Sequence, residues 1–556
     1  MCIDAHKASR SDAAPGGVLA RIKSVRGFWG DKMRRILAAV VVCLLGTSVW
    51  VSVARSQSES KAEWVTNGAD MERTGWQKDE TKISSSSVKN FQLLWTSKTD
   101  NKPMGLAGLL EPVIVSGVST PEGTRQLAIV AGSSNTLTAI DTETGKIVWH
   151  KDFEWLSPDP QSQAFRGFIC ENADTASPVA NAEGSNPRLV YTMTADGFLH
   201  TVNAATGEEA KKAIQVSPHA YIKANGLNLY KDTIYTISGQ GCGSSAGRNP
   251  NTVYAVDLET GQTTQMQPGQ SGMWGVAGVA IAPDGMMYAE TGDGAYDVAT
   301  KRLSTSVLQV DPATTQIKNY YTPDNHEWLT ERDMDMNYTP SIFPYKGREL
   351  LIASGKEGRY YLLDTKTMGG PNHETPLYKT PLVSNTNVNF QTEGSWGSGA
   401  TWEDSKGTRW YLAPIGGPLN PQVKFPVNDG PIPDGATIAF RVEDVNGKPE
   451  MVPAWVSRDM VTAETPVIAN EVVFALAAGE FTGQGHDGGT GLWTAEERVA
   501  RSVPAILYAL DGQTGKVLWS SGHEIGSFLH EGGMAVADGR VIFGTNDGTV
   551  YCFGLR

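Results

Sequence analysis

LTAIDTETGKIVWH, residues 137–150, has the pattern of a β-hairpin: apolar residues alternate, a tight Thr-Gly turn follows, and a second short strand begins. The carboxylate of Asp141 can accept hydrogen bonds from the backbone of the turn, and Gly145 adopts the positive φ that such a turn requires. Trp149 can bury its large ring between neighbouring sheets. The stretch therefore predicts the outer hairpin of a small antiparallel sheet.

The same sequence motif recurs along the chain. Its anchors are Asp141, Asn203, Asp257, Asp311, Asp364 and Asp511, and the first four intervals are 62, 54, 54 and 53 residues. A weaker copy, FRVEDVNGKPEMVPAW at 440–455, lies in the long gap before the last anchor. This spacing suits a four-stranded antiparallel unit with loops, and it favours a β-propeller over a sandwich.

Each chain end carries half of this hairpin motif. GTVYCFGLR at 548–556 resembles its first strand, and FQLLWTSK at 91–98 resembles its second. Together they complete one blade, so we predict an all-β, eight-bladed propeller at 91–556, closed by pairing between the terminal strands. Residues 57–90 are a lead-in segment, and the sequence leaves open whether it is an ordered strap or a flexible arm.

Composition narrows the classes of function. The net charge of −13, with scattered Lys and Arg residues, argues against a nucleic-acid partner, because phosphate binding needs a basic stripe. The 60 glycines and 15 tryptophans are typical of short strands joined by turns.

Residues 1–56 are predicted to be an N-terminal extension with an export signal. MRRILAAVVVCLLGTSVWVSVARSQS begins at Met33, continues through an apolar run at 36–54, and ends in small residues around Ser56. We expect cleavage near Ser56 and a periplasmic or secreted protein. The alternative is an uncleaved membrane anchor, since the run approaches the roughly 20 residues that span a bilayer.

Three cysteines follow this leader. Export would permit one disulfide, and we expect it between Cys170 and Cys242. Cys552 lies in an apolar strand and is expected to be buried.

The repeats resemble the tryptophan-docking blades of the pyrroloquinoline quinone (PQQ) dehydrogenases, exported eight-bladed quinoproteins that oxidise alcohols. The resemblance spans roughly residues 90–556. Noncatalytic propellers of the bacterial envelope share these repeats, so the residues of the site must decide between the two.

Two central stretches of the sequence resemble the family's cofactor and metal segments. In SGMWGVAGVAIAPDGMMYAETGDGAYD, at 271–297, the resemblance makes Trp274 the floor under the quinone and Asp293 a ligand of Ca²⁺. In HEWLTERDMDMNYTPSIF, at 326–343, Asp333 and Asp335 are candidates for catalytic base and metal ligand. The spacing to Pro340 favours Asp335 as the base, whereas alignment on the preceding HEW favours Asp333.

A third stretch, RELLIASGKEGRYYLLD at 348–364, resembles the strand and K-x-G turn whose cation contacts the reactive carbonyl of the quinone, which points to Lys356. The chain also departs from the family. Only Cys170 stands where the best-known members have two adjacent cysteines, and Gln240 lies near the place of a calcium-ligating Glu.

The resemblance implies an exported dehydrogenase that uses PQQ and Ca²⁺. It would oxidise a small or polymeric alcohol and pass electrons to a separate acceptor such as a periplasmic cytochrome c. The alternative is a noncatalytic propeller that serves as an interaction scaffold in the envelope.

Overall fold

The computed structural model describes residues 62–154, 170, 172–266, 272–486 and 491–556. Eight antiparallel sheets of four or five strands form the blades of a β-propeller, as the repeats predict. The blades are numbered here in chain order, and the strands of each are given in the order in which they pair.

Blades 1 to 4 are continuous in sequence. Blade 1 consists of Val113–Thr120, Gly123–Gly132, Thr136–Asp141 and Ile147–Asp152. Blade 2 consists of Val179–Ala180, Leu189–Met193, Phe198–Asn203 and Glu209–Gln215. Blade 3 consists of Lys223–Ala224 and Asn228–Tyr230, both paired with Thr233–Gly239, then Thr252–Asp257 and Thr263–Gln265. Blade 4 consists of Met273–Trp274 and Ala280–Ile281, both paired with Met287–Thr291, then Ser306–Val310 and Ile317–Tyr321.

The next three blades follow the same plan, and blade 8 uses both chain ends. Blade 5 consists of Ser341–Tyr345, Arg348–Ser354, Tyr360–Asp364 and Tyr378–Lys379. Blade 6 consists of Ala400–Glu403, Arg409–Gly416, Gly435–Val445, Lys448–Val456 and Val427–Asn428. Blade 7 consists of Trp76–Gln77, Val467–Ala469, Val472–Ala477, Ile506–Asp511 and Val517–Ser520. Blade 8 consists of Ala535–Ala537, Arg540–Gly544, Thr549–Gly554 and Gln92–Lys98.

Shorter elements lie between and within the blades. Two small hairpins pair Gly243–Ser244 with Gly247–Arg248, and Tyr296–Asp297 with Arg302–Leu303. Tyr338–Thr339 pairs in parallel with Gly397–Ser398. The helical elements are His326–Thr330, Ala495–Arg501, and the 3-10 turns Val88–Asn90 and Gly370–Asn372.

The two chain ends close the ring, as predicted. Gln92–Lys98 pairs antiparallel with Thr549–Gly554, in a register that sets Lys98 opposite Thr549. This pairing joins the last blade to the start of the propeller and leaves no open sheet edge between them.

The predicted tryptophan docking is present between successive blades. Trp149 of blade 1 packs against Gly207 of blade 2, and its Nε1 donates to the carbonyl of Ala204 at 2.8 Å. Trp455 of blade 6 packs in the same way on Gly515 of blade 7. Each of these turns needs glycine, because a Cβ would enter the indole ring.

Residues 64–77 form a strap that runs once around the centre of the ring. In blade order, the strap hydrogen-bonds to one of the first strands of each blade, which in blades 3, 4 and 7 is the second strand named above, or to the residue just before it. The pairs are Trp64 and Ile114, Val65 and Ala180, Thr66 and Leu227, Met71 and Ile281, Glu72 and Ile342, Thr74 and Thr401, Gly75 and Ile468, and Gln77 and Val536. A segment this short reaches all eight blades only because their first strands line the centre. We therefore call these the inner strands.

The expected disulfide joins Cys170 to Cys242, with their Cα atoms 5.5 Å apart, and Cys552 is buried as expected. The predicted extension and export signal, residues 1–56, lie outside the described residues. Within the described part, no helix is long and apolar enough to span a bilayer.

We expect Gly515→Ala to destabilise the propeller more than Gly261→Ala. Both glycines occupy the same turn with nearly equal φ, 69° and 72°. An added Cβ at Gly515 would lie 2.8 Å from Cδ2 of Trp455, whereas at Gly261 the nearest atom is 3.8 Å away. Both variants lose roughly 1 kcal/mol to backbone strain, and Gly515→Ala loses about 2 kcal/mol more through overpacking. Urea unfolding measures the difference, and equal losses would contradict tryptophan docking as its source.

Candidate functional site

The candidate site is built from four segments of blades 4 and 5 that meet near the centre of the ring. Trp274 lies in the short inner strand Met273–Trp274, and Asp293 follows the strand Met287–Thr291. Asp333 and Asp335 precede the inner strand of blade 5, and Lys356 follows its neighbour, Arg348–Ser354. These five residues, all predicted from the sequence, are brought together.

A buried ion pair lies at the core of this group. The Nζ atom of Lys356 is 2.5 Å from Oδ2 of Asp335 and 2.9 Å from Oδ1 of Asp333. The side chains of Lys356 and Asp335 are only 4% and 2% exposed, whereas that of Asp333 is 47% exposed. The Asp335 carboxylate also accepts a hydrogen bond from the backbone N–H of Asp293 at 2.5 Å.

Burial and neighbouring charges shift the pKa values of this pair. Burial raises the pKa of Asp335 to about 7; Lys356 opposes this, whereas Asp333 and Asp293 add to it. Burial alone would lower the pKa of Lys356, but the two carboxylates beside it outweigh burial and raise that pKa. Lys356 therefore acts as a fixed positive charge, and Asp335 is a carboxyl group whose proton is exchanged near neutral pH.

The three aspartates converge on one point. Asp293, Asp333 and Asp335 each offer a carboxylate oxygen, and these oxygens lie within 4.8 Å of one another. Hard cations prefer such oxygen ligands. The arrangement can hold a metal ion.

Close packing of three segments depends on Gly292. A Cβ at this position would collide with Oδ1 of Asp335 and lie 2.8 Å from Cδ1 of Trp274. The glycine thus allows the turn carrying Asp293 to reach both residues.

Two ammonium groups approach the ring of Trp274. The Nζ atoms of Lys356 and Lys223 each lie 5.8 Å from the ring centroid. The indole Nε1 is buried and has no hydrogen-bond partner among the described residues. An electron-rich aromatic surface with flanking cations can bind a flat anionic ligand.

A cavity of about 700 Å³ opens beside this group. Trp274 and Lys223 line one end, and residues of blades 6, 7 and 8 line the rest. Asp335 and Lys356 lie behind this lining, next to Trp274. The volume falls in the range of ligand sites, roughly 300–1,000 Å³.

Sequence reasoning missed three contributors. Lys223 of blade 3 lies over Trp274, while the rings of Phe390 and Trp396 lie 5.8 and 5.5 Å from Nζ of Lys356. A lone Lys in a short strand and two aromatic residues in a long loop carry no local signal, so only the closed ring reveals them.

Gln240, the remaining predicted site residue, follows the strand Thr233–Gly239 with a φ of 64°. The adjacent Gly239 packs against the carbonyl oxygen of Met273. Gln240 thus lies on the blade 3 side of Trp274, and its role stays a prediction.

Comparison with known proteins agrees with the propeller fold. A family model described as the glucose/ethanol/alcohol dehydrogenase β-propeller domain, of the PQQ family, matches residues 64–213. Among solved structures, the quinohemoprotein alcohol dehydrogenase ADHIIG from Pseudomonas putida is similar with a TM-score of 0.56 and 16% identity, covering 89% of this chain and 80% of that one. The quinohemoprotein alcohol dehydrogenase from Comamonas testosteroni has a TM-score of 0.52, with the same identity and coverage.

A europium-containing methanol dehydrogenase is similar as well, with a TM-score of 0.53 and 14% identity, covering 89% of this chain and 99% of that one. No curated protein matches the chain. The predicted resemblance to the PQQ dehydrogenase propellers is confirmed. At these identities the structural likeness shows the fold alone, so the roles of individual residues depend on the site geometry.

We expect Lys356→Met to destabilise the protein by about 3–5 kcal/mol, because it leaves the buried Asp335 carboxylate without its counter-ion. Adding Asp335→Asn to Lys356→Met should recover at least about 1 kcal/mol of that loss in a double-mutant cycle. Urea unfolding measures both.

The matched control is Lys379→Met, which breaks an exposed ion pair of 2.9 Å with Asp324. It should cost less than about 1 kcal/mol. A Lys356 variant no less stable than this control would show that the buried pair contributes nothing.

Proposed function

We propose that the chain is an exported dehydrogenase that uses a quinone and a metal ion to oxidise an alcohol. The convergence of Trp274, Lys356 and the three aspartates beside one cavity carries this proposal. The alternative, a noncatalytic scaffold, predicted a pore without converging carboxylates, and this geometry favours the enzyme.

The residues present fit a hard cation. Asp293, Asp333 and Asp335 supply carboxylate oxygens within 4.8 Å of one another, and the single positive charge of Lys356 is shared between Asp333 and Asp335. We propose Ca²⁺ as the metal. A trivalent lanthanide is a second candidate, because three carboxylates match its charge and a europium-containing enzyme shares the fold.

The residues also fit a planar anionic quinone such as PQQ. The Trp274 indole offers a stacking surface, and its buried Nε1 lacks a partner among the described residues. Lys223 and Lys356 supply positive charge beside that surface. The disulfide between Cys170 and Cys242 links the two regions in which this chain departs from its relatives.

Asp335 is the proposed catalytic base. It is buried and has a pKa near 7, so it can accept the hydroxyl proton of an alcohol at neutral pH. Asp333 is half exposed and lies on the outer side of Lys356, which suits a metal ligand better than a base.

A bound quinone supplies the acceptor for the hydride that leaves the alcohol carbon. Lys356 places positive charge where oxygen charge develops, and the cavity walls position the substrate and exclude water. Electrons then pass to a separate acceptor, for which we propose a periplasmic cytochrome c. Export is proposed from the leader pattern, and a disulfide is compatible with it.

The experiment reconstitutes purified protein with PQQ and either Ca²⁺ or a lanthanide, and follows reduction of an artificial dye with a panel of alcohols. We expect quinone absorbance to remain with the protein after gel filtration. Asp335→Asn should lower kcat at least about 100-fold, because it removes the base.

Asp324→Asn is the matched control, since Asp324 is 58% exposed, pairs with Lys379 and does not belong to the aspartate group. Its kcat should equal that of the wild type. If the protein retains no quinone and shows no alcohol-dependent turnover with either metal, the dehydrogenase proposal is refuted and the scaffold is favoured.

A further inference from the structure

The far side of the cavity carries an acidic wall, which we define as Glu393, Glu464, Glu480 and Glu531. These residues come from the loop before blade 6, from blade 7, and from the loop before blade 8. They lie apart from the aspartate group, and the proposed oxidation does not use them.

The cations nearest the acidic wall are already engaged. Arg498 donates to Oε1 of Glu480 at 2.7 Å, and Nδ1 of His530 lies 2.7 Å from Oε2 of the same residue. The guanidinium of Arg501 stacks at 3.7 Å on the ring of Trp493 and donates to a backbone carbonyl. Glu480 is therefore neutralised within the protein.

The other three glutamates have no such partner. Among the residues that the structure describes, no nitrogen of Lys, Arg or His lies within 4.0 Å of the carboxylates of Glu393, Glu464 or Glu531. The unpaired lysine of the cavity, Lys223, lies at the opposite end over Trp274. The cavity thus has one end that attracts anions and another that attracts cations.

Glu393 provides an independent indication of a ligand. It is only 7% exposed, and its Oε1 accepts a hydrogen bond from Asn387 at 3.1 Å. Its Oε2 is buried without any partner in the described structure. A buried carboxylate oxygen without a donor is costly, and a ligand that brings a positively charged donor removes this cost.

Repulsion between the glutamates of the acidic wall also indicates a positively charged ligand. Burial raises the pKa of Glu464 to about 8; the charges of Glu480 and Glu531 add to this shift, whereas His530 and a backbone hydrogen bond from Glu531 oppose it. A bound cation would relieve both the burial and the repulsion.

An organic cation fits better than a metal ion. In the described residues, the one group of at least three acidic, His or Cys side chains with ligand atoms within 4.8 Å of one another is the aspartate group at the other end. The glutamates of the acidic wall are too widely spaced to form such a group. The cavity also presents the aromatic faces of Trp396 and Phe481, which attract organic ammonium ions.

Trp396 connects the acidic wall to the reacting end. Its ring lies 5.5 Å from Nζ of Lys356, and its Nε1 donates to the backbone carbonyl of Glu393 at 3.0 Å. A ligand that lies against Trp396 in the cavity is therefore close to Glu393 and to the side of the cavity behind which Lys356 lies.

We propose that the acidic wall binds the ammonium group of the substrate, so that the alcohols oxidised by this protein are amino alcohols or quaternary ammonium alcohols. The inference rests on the proposed function for the oxidation itself. That reaction removes one C–H and one O–H hydrogen from the alcohol as two electrons and two protons, which the dye finally takes up.

The test compares choline with 3,3-dimethylbutan-1-ol, a neutral alcohol of the same shape. With the reconstituted enzyme, we expect kcat/KM for choline to exceed that for the neutral alcohol by about tenfold or more. Glu393→Gln and Glu464→Gln should each lower this ratio by about tenfold, because an amide of the same volume cannot become the carboxylate that pairs with a bound ammonium group. Glu496→Gln, an exposed residue outside the cavity lining, is the matched control and should leave both rates unchanged.

Isothermal titration of choline into the protein separates the two proposals. If Glu393→Gln and Glu464→Gln weaken the binding of choline but no alcohol is turned over, the cation site is supported and the dehydrogenase proposal fails. The inference would be overturned if the neutral alcohol were oxidised as efficiently as choline, or if both variants bound choline with unchanged affinity. In either case the dehydrogenase proposal would stand. A circular dichroism spectrum equal to that of the wild type shows that each variant is folded.

Discussion

The packing of a tryptophan from one blade on the turn glycine of the next is the interaction on which the rest of the structure depends. It joins an apolar contact to a hydrogen bond from the indole N–H, so it fixes both the distance and the orientation between sheets. Trp95 makes the same contact with Gly145 across the ring closure, at a hydrogen-bond distance of 3.0 Å to Thr142. The contact occurs from blade 8 to blade 1, from blade 1 to blade 2 and from blade 6 to blade 7, and at these junctions it fixes how one sheet packs on the next.

The closed propeller determines where the residues of the candidate site can meet. The strap binds the inner strands, and Trp274 and Asp335 lie on the segments that lead into them. Asp293 and Lys356 instead follow the neighbouring strands of blades 4 and 5. Asp335 precedes Ile342 and Trp274 precedes Ile281, both of which donate their backbone N–H groups to the strap. Residues that are far apart in sequence therefore meet at one end of the centre, where the strap leaves space.

Electrostatics distinguish this centre from an ordinary propeller core. A lysine held between two aspartates is expensive to bury, and such a pair adds little net stability compared with apolar packing. The ammonium contacts two carboxylates of a group whose spacing suits a metal ion. At the opposite wall of the same cavity, three glutamates form no ion pair within 4.0 Å in the described part of the chain.

The sequence by itself determined the blade count, the closure by the terminal strands, the role of the turn glycines, and the residues Trp274, Asp293, Asp333, Asp335 and Lys356. The blades, the closure and the glycines follow from local patterns, because a hairpin motif has its own turn chemistry and recurs at regular spacing. The five site residues came from the resemblance of three sequence stretches to the PQQ dehydrogenases. The course of the strap, the approach of Lys223 and Trp396, and the acidic wall were decided only by the tertiary structure. Each depends on which loops of different blades face one another, and that arrangement exists only once the ring has closed.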